Sequence, residues 1–192
     1  MEQNRILRIV VADDEAVIRM GLKQMIGALG HRVVGTAVNG DEALEVTLRL
    51  KPDLLLLDIK MPNKDGLTVA EILAEQMPLP IVMLTAFSDR SLIERAANAA
   101  VMGYLVKPIH ESKLGPTLEL AVSRFEAMRE TAQQVSKLRG QLAAHDVVND
   151  AKRILIAGGL SEAEAYKQLQ FMARNKRCSM RQVAEAVIAV GQ

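Results

Sequence analysis

Short apolar runs alternate with longer amphipathic stretches over the first 110 residues of the chain. The apolar runs predict strands at 6–11, 32–36, 53–57, 81–84 and 103–106. The amphipathic stretches predict helices at 15–28, 40–49, 66–76 and 89–99. Strands that alternate with helices of this length form βαβ units around a parallel sheet. The run Leu54–Leu57 is apolar without alternation, which is typical of a central strand covered on both faces.

Beyond residue 110 the strand pattern stops, and the spacing of apolar residues predicts one long helix with a coiled-coil seam. The helix is predicted over 116–149, and its seam carries Leu118, Phe125, Met128, Val135 and Leu142. We expect two copies of the chain to pair along this seam. The alternative is a last helix that folds back on its own sheet.

The last forty residues read as three short helical segments. Ser161 is a predicted N-cap with Glu164 at the capping-box position, and Ser179 is the predicted cap of the final helix. A segment of this size buries little surface. We therefore expect it to depend on the long helix.

Composition narrows the class of protein. The chain has 49% apolar and 24% charged residues, which is typical of a globular protein. A formal net charge of +1 excludes a global field strong enough to capture nucleic acid, so any basic site must be local. The lone Cys178 cannot form an internal disulfide, and no apolar run is long enough for a membrane span. These features predict a cytoplasmic protein with no membrane partner.

Polar side chains follow four of the predicted strands at the point where each strand ends. They are Asp13, Asp14, Asp58, Thr85 and Lys107. The carboxyl ends of parallel strands share one edge of the sheet, so we expect these groups to converge. Carboxylates with a backbone carbonyl suit Mg²⁺. Each residue alone is more often a cap or a solvated loop residue, but together they predict a phosphoryl site.

In that site Asp58 is the candidate nucleophile, with its charge and that of the phosphoryl group neutralised by Mg²⁺ and Lys107. Thr85 is placed to donate a hydrogen bond to a phosphoryl oxygen. The small Ala86 leaves room for the group.

These residues, together with the segment 58–66 and the pairs Gly103-Tyr104 and Lys107-Pro108, resemble the receiver domain of bacterial two-component response regulators. The resemblance implies a doubly wound, five-stranded, flavodoxin-like fold. It implies that a sensor histidine kinase phosphorylates Asp58, with Mg²⁺ held by Asp13, Asp14, Asp58 and the backbone carbonyl of Lys60.

The same resemblance implies a cis peptide bond before Pro108. It also makes Tyr104 an aromatic switch that turns inward when Thr85 moves; the alternative is an ordinary half-buried tyrosine. Lys60 and Phe87 are expected to tune how long the phosphate persists.

Five basic residues and no acid lie between Ala165 and Ala184, and they form a candidate phosphate-binding face. They are Lys167, Arg174, Lys176, Arg177 and Arg181. A merely solvated helix surface is the alternative. The surrounding stretch, from Ala151 through the run Gly159–Tyr166 to Val187, resembles an ANTAR domain, the three-helix RNA-binding module of transcription antitermination regulators.

This second resemblance implies binding to leader-RNA hairpins through the five basic residues together with Lys152 and Tyr166. Tyr166 would stack on or hydrogen-bond a loop base, unless it packs between helices.

The sequence therefore predicts a regulator rather than an enzyme, with a receiver domain at 1–115, a coiled-coil linker at 116–149 and an ANTAR domain at 150–192. We expect phosphorylation of Asp58 to drive homodimerisation and RNA binding. Two alternatives stay open. One is a DNA-binding response regulator whose last two helices imitate a helix-turn-helix. The other is a receiver whose C-terminal segment only dimerises or docks on proteins.

Overall fold

The computed structural model describes residues 5–86 and 101–190, apart from the side chains of residues 136, 138, 140–144 and 190. The strands are β1 Arg8–Ala12, β2 Arg32–Ala37, β3 Leu54–Asp58, β4 Ile81–Thr85 and β5 Val101–Val106. The helices are α1 Ala16–Ala28, α2 Gly40–Leu50, α3 Gly66–Gln76, α4 Glu111–Ala157, α5 Glu162–Lys176 and α6 Met180–Val190. The predicted strands and the first three predicted helices are confirmed to within two residues. The predicted helix at 89–99 and Phe87 lie outside the described residues.

The five strands form one parallel sheet in the order β2-β1-β3-β4-β5. This confirms the doubly wound fold. The chain runs from β1 outward to β2 and then crosses to β3 on the other side of β1. The order therefore reverses at β1 and β3, and ligands of open α/β sheets bind in the crevice beyond the carboxyl ends at such a point.

The sheet is covered on both faces because its central strands have no polar side. Leu55 and Leu57 of β3 pack toward α2 and α3, whereas Leu54 and Leu56 pack toward α1 and the beginning of α4. All five residues of β3 are buried. Successive side chains of a strand point to opposite faces, so an unbroken apolar run supplies both layers at once.

The beginning of α4 belongs to this core and corrects part of the predicted seam. Leu118 is fully buried in the cluster that contains Leu22 and Ile26 of α1, and Phe125 is only 9% exposed. The prediction that Leu118 and Phe125 face a second chain is therefore wrong. The alternative, in which the helix packs on the sheet of its own chain, is correct for this part of α4.

The chain divides into two compact units, Met1–Arg129 and Glu130–Gln192. In the second unit the end of α4 packs with α5 and α6 around a small core that includes Ala151, Leu169, Ala173 and Val183. The Ser161–Glu164 capping box at the start of α5 is confirmed. No helix in the described ranges combines the length and apolar character needed to cross a bilayer.

Candidate functional site

The register of the parallel strands brings the predicted polar residues to one edge of the sheet. Ala12 lies opposite Leu57, so Asp13 and Asp58 occupy the next position on two adjacent strands. Asp58 in turn lies opposite Leu84, and Thr85 opposite Val106, immediately before Lys107. Residues that are far apart in the sequence therefore lie next to each other at the carboxyl ends of neighbouring strands.

Lys107 lies at the centre of an acidic pocket, which we define as Asp13, Asp14, Glu15, Asp58 and Lys107. The Nζ atom is 2.9 Å from Asp13 Oδ2, 3.2 Å from Asp58 Oδ2 and 3.3 Å from Glu15 Oε1. Burial lowers the pKa of Lys107, but the contacts and charges of Asp13 and Asp58 outweigh burial and raise the pKa above its ordinary value. Lys107 is therefore held as an ammonium ion.

The carboxyl group of Asp58 is poorly neutralised. The pKa of Asp58 is raised from 3.8 to about 6, chiefly by burial and also by the negative charge of Asp13, although Lys107 and the Ile59 N–H act in the opposite direction. The single charge of Lys107 is shared among three carboxyl groups, those of Asp13, Glu15 and Asp58. The site therefore favours an added positive charge.

Three carboxylates of the pocket fit a hard divalent cation. Asp13, Asp14 and Asp58 offer oxygen atoms that all lie within 4.8 Å of one another. Asp13 and Asp58 are buried, whereas Asp14 is exposed and its carboxylate has no hydrogen bond or ion pair among the described residues. Oxygen ligands of this kind suit Mg²⁺, which keeps several waters. The donor set and the raised pKa of Asp58 agree with the predicted ion.

Two residues that shape the pocket were missed by the sequence prediction. Glu15 is the third carboxylate on Lys107, and its only signal was its position directly after Asp14. Arg19 Nη1 donates to the backbone carbonyl oxygens of Asp13 at 2.7 Å and Asp14 at 3.0 Å. The Glu15 N–H also donates to Asp13 Oδ1 at 2.9 Å. These bonds hold the turn after β1 so that both carboxylates are presented at the sheet edge.

The segment after Asp58 is fixed by backbone contacts. The Ile59 N–H donates to the Leu84 carbonyl at 3.2 Å, and the Gly66 N–H donates to the Ile59 carbonyl at 2.9 Å. A Cβ atom on Gly66 would overlap the carbonyl oxygen of Asp58. Only glycine therefore allows the start of α3 to approach the candidate phosphoacceptor this closely.

The other predicted pocket residues take distinct positions. Lys60 and Ala86 line an open pocket of about 300 Å³ together with Asp14, Glu15, Asp58 and Lys107. The Thr85 hydroxyl is buried and donates to the carbonyl oxygen of Ala86 at 3.0 Å. Tyr104 is half-buried on the edge strand β5, and burial raises its pKa. The Lys107–Pro108 peptide bond is cis, as predicted.

The remaining seam residues lie along α4. Met128 is 48% exposed and Val135 is 42% exposed, and they are two helical turns apart on one face. Leu142 continues the seven-residue spacing, but its side chain lies outside the described residues.

The predicted RNA-binding cations fall into two groups. Four of them are exposed, and their side chains have no hydrogen bond or ion pair among the described residues: Lys167, Arg174, Lys176 and Arg177. We call these four the basic surface. Two others are already paired, Lys152 with Glu162 at 2.7 Å and Arg181 with Glu185 at 2.8 Å. Tyr166 is 43% exposed.

Comparison with known families gives two matches along the chain. The model of the response regulator receiver domain matches residues 9–119, and the model of the ANTAR domain matches residues 136–188. The first match covers the acidic pocket, and the second covers the basic surface.

Individual relatives agree with these two matches. The transcriptional regulatory protein PdtaR of Mycobacterium tuberculosis is 43% identical over 182 residues, which are 94% of this chain and 89% of that protein. The receiver domain of a modulated diguanylate cyclase from Desulfovibrio desulfuricans superposes with a TM-score of 0.60 at 29% identity, covering 65% of this chain and 99% of that one. The receiver domain of AraT from Geobacillus stearothermophilus gives a TM-score of 0.59 at 30% identity, with the same coverage.

Proposed function

Because the chain belongs to the response regulators, with a receiver domain followed by an ANTAR domain, we propose that it is a phosphorylation-controlled RNA-binding antiterminator. A sensor histidine kinase supplies the phosphoryl group to Asp58, and the phosphorylated chain binds leader-RNA hairpins. The observation that carries the proposal is the buried Asp58 carboxyl group beside Lys107, whose single charge is shared among three carboxylates.

The acidic pocket would hold Mg²⁺ through Asp13, Asp14 and Asp58, with the backbone carbonyl of Lys60 as the further predicted ligand. The bound ion would supply positive charge that keeps Asp58 ionised and screens the incoming phosphoryl group. Arg19 keeps the carbonyls of Asp13 and Asp14 in place, so their carboxylates need little reorganisation.

The transfer itself is a displacement at phosphorus. A carboxylate oxygen of Asp58 attacks the phosphorus of a phosphohistidine on the kinase. The new O–P bond forms as the N–P bond breaks, and the leaving imidazole nitrogen takes up a proton from solvent. Lys107, already 3.2 Å from Asp58 Oδ2, neutralises negative charge on the transferred group. Thr85 becomes a hydrogen-bond donor to that group when its hydroxyl leaves the Ala86 carbonyl, and Tyr104 responds as the switch.

Phosphorylation adds about 1.5 to 2 negative charges to the pocket. We propose that the resulting change promotes pairing of two chains along Met128, Val135 and Leu142. Exposed apolar residues at seven-residue spacing are the pattern of a two-stranded coiled coil. Two RNA-binding units in one dimer could raise avidity by about 10² to 10⁴ if both engage one RNA.

The RNA-binding part of the proposal rests on the ANTAR match and on the basic surface. Its four cations are exposed and unpaired within the described part of the chain, so they can reach phosphate groups without breaking an ion pair. Lys152, Tyr166 and Arg181 complete the predicted set, with Lys152 and Arg181 exchanging an acidic partner for RNA.

The test measures binding to RNA hairpins and to duplex DNA of matching sequence, with and without a small-molecule phosphodonor and Mg²⁺. We expect the phosphodonor to increase RNA affinity and dimer content in the wild type but not in Asp58→Asn. Glu71→Gln, which removes an exposed acid outside the pocket, is the matched control and should respond like the wild type.

Each other outcome has a definite meaning. Equal RNA affinity with and without phosphodonor would refute control by Asp58. Preference for duplex DNA would favour a DNA-binding regulator, and no nucleic-acid binding would favour a protein-docking segment. A monomer in both states by light scattering would refute the dimerisation step.

A further inference from the structure

The exposed aromatic side chains of the described residues are confined to one helix. The chain has two tyrosines and three phenylalanines. Phe125 is buried and Tyr104 is half-buried, whereas Tyr166 is 43% exposed and Phe171 is 66% exposed, and both lie on α5. An exposed phenylalanine in a chain with so few aromatic residues suggests a function when the residues beside it on the helix are exposed and positively charged.

Helix geometry places Phe171 away from the small core of its unit. Ala165, Leu169 and Ala173 are the buried residues of α5, and they repeat every four positions along one stripe. Phe171 lies on the opposite side of the helix and is absent from the core cluster formed with α6. Removing its ring should therefore leave the fold intact.

The neighbours of Phe171 on the exposed side are basic. Lys167 is four residues before it and Arg174 three residues after it, so all three share one face. Neither cation has an ion pair or hydrogen bond within the described residues. Lys167 and Arg174 form a row along the helix, with Phe171 on one side of the row and Tyr166 on the other. Two aromatic rings thus border a strip of free positive charge.

This combination has the chemistry of a surface for unpaired nucleotides. Aromatic rings stack on bases that are not held in a helix, and adjacent cations bind the connecting phosphates. A protein-docking patch would need a larger apolar area, whereas the α5 strip is mostly polar apart from the two rings. Charge complementarity therefore selects RNA over a second protein.

Resting on the proposed function, we propose that Phe171 stacks on an unpaired loop base of the RNA hairpin. Lys167 and Arg174 bind the phosphates on either side of that base. The sequence analysis assigned no role to Phe171, because a phenylalanine at helical spacing resembles a core residue until its exposure is known. This site distinguishes a hairpin loop from a paired stem, which the basic residues alone cannot do.

The experiment uses the full-length chain with phosphodonor and Mg²⁺. The probe is a hairpin selected by the wild-type chain from a pool with a fixed stem and a fully randomised loop. A duplex of the stem alone is the second probe. The variants are Phe171→Ala, Phe171→Trp and Lys167→Ala, and the matched control is Ile156→Ala, which removes an exposed apolar side chain elsewhere in the same unit.

We expect Phe171→Ala to weaken hairpin binding by about 5-fold to 100-fold with an unchanged salt dependence. Phe171→Trp should bind like the wild type, because its ring also stacks. Lys167→Ala should reduce the slope of log affinity against log salt by about 0.7, the value for one single-strand phosphate contact. Binding to the stem duplex should not change in Phe171→Ala, and Ile156→Ala should match the wild type throughout.

Three results would overturn the inference. The first is equal hairpin affinity for Phe171→Ala and Ile156→Ala. The second is an equal loss on the hairpin and on the stem duplex, which would remove the role of a loop base. The third is altered dimer content without altered RNA affinity. In all three the wild type still binds hairpins, so the proposed function survives; failure of the wild type to bind any hairpin would overturn both.

Discussion

The acidic pocket and the basic surface show two ways in which one chain uses charge. In the pocket, Asp13 and Asp58 are buried and Lys107 contacts three carboxylates at fixed distances. On the basic surface, four cations are exposed and have no partner within the described residues. The difference teaches that charges gathered in a pocket are held by burial and pairing, whereas charges suited to capturing a polyanion remain exposed to solvent.

The two arrangements should respond differently to conditions. Buried charges are poorly screened by salt but shift in pKa, so the pocket should be sensitive to pH and to divalent cations. Exposed charges are screened within about 10 Å at 0.1 M salt, so binding at the basic surface should be sensitive to ionic strength.

The largest effect should come from crowding the pocket. Gly66→Ala would place a methyl group against the carbonyl oxygen of Asp58, so the backbone has to shift. We expect a loss of about 3 kcal/mol in the free energy of unfolding. Gly21→Ala is the matched control, because a Cβ there meets nothing within 4 Å in the middle of α1. It should stabilise the chain by about 0.5 to 1 kcal/mol. Urea denaturation measures both, and equal effects would contradict the close approach at Gly66.

An effect of at most the same size should follow from removing the charge of Asp58. The pKa of Asp58 is about 6 in the folded chain against 3.8 for the unperturbed group, so between these values the folded state binds more protons than the unfolded state. The contribution of Asp58 to the free energy of unfolding therefore falls as pH rises through this window, by up to about 3 kcal/mol. In the absence of Mg²⁺, Asp58→Asn should be more stable than the wild type at pH 7 and similar to it below pH 4.

Thermal unfolding as a function of pH, with EDTA or Mg²⁺, measures this difference. Mg²⁺ should stabilise the wild type more than Asp58→Asn, because an ion that binds only the folded pocket shifts the equilibrium toward it. If the wild type is more stable than Asp58→Asn at pH 7 in EDTA, this result would contradict the raised pKa of Asp58.

The smallest effect should come from an exposed ion pair. Arg181 and Glu185 are 2.8 Å apart and about half exposed, so Glu185→Gln should change the free energy of unfolding by less than about 0.5 kcal/mol. RNA affinity should rise slightly, since the variant releases Arg181 from its acidic neighbour. Lower RNA affinity in Glu185→Gln would show that Arg181 does not act as a free cation on RNA.

Much of the fold could be predicted because local patterns have few solutions. The apolar run Leu54–Leu57 had to be a covered central strand, and Ser161 with Glu164 had to begin a helix, as the structure confirms. The seam prediction was wrong at Leu118 and Phe125 for an equally physical reason. An apolar stripe on a helix specifies that something covers it, but a sheet of the same chain and a second chain serve equally well.

Other structural features had a weak signal, or none, in the sequence. Glu15 is one acid among 23 acidic residues, and Arg19 acts through backbone carbonyls that a sequence does not locate. Phe171 is similar, because its exposure depends on which side of α5 packs against α6.

The sequence by itself determined which chemical groups end the strands, where helices begin, and that an acidic site and a basic segment lie in different parts of one chain. These are properties of residue type and spacing. Only the tertiary structure decided that Lys107 binds three carboxylates, that the pKa of Asp58 rises to about 6, and that Leu118 is buried while Phe171 is exposed. Pairing, desolvation and exposure are relations between side chains in space, and they arise only when distant segments pack together.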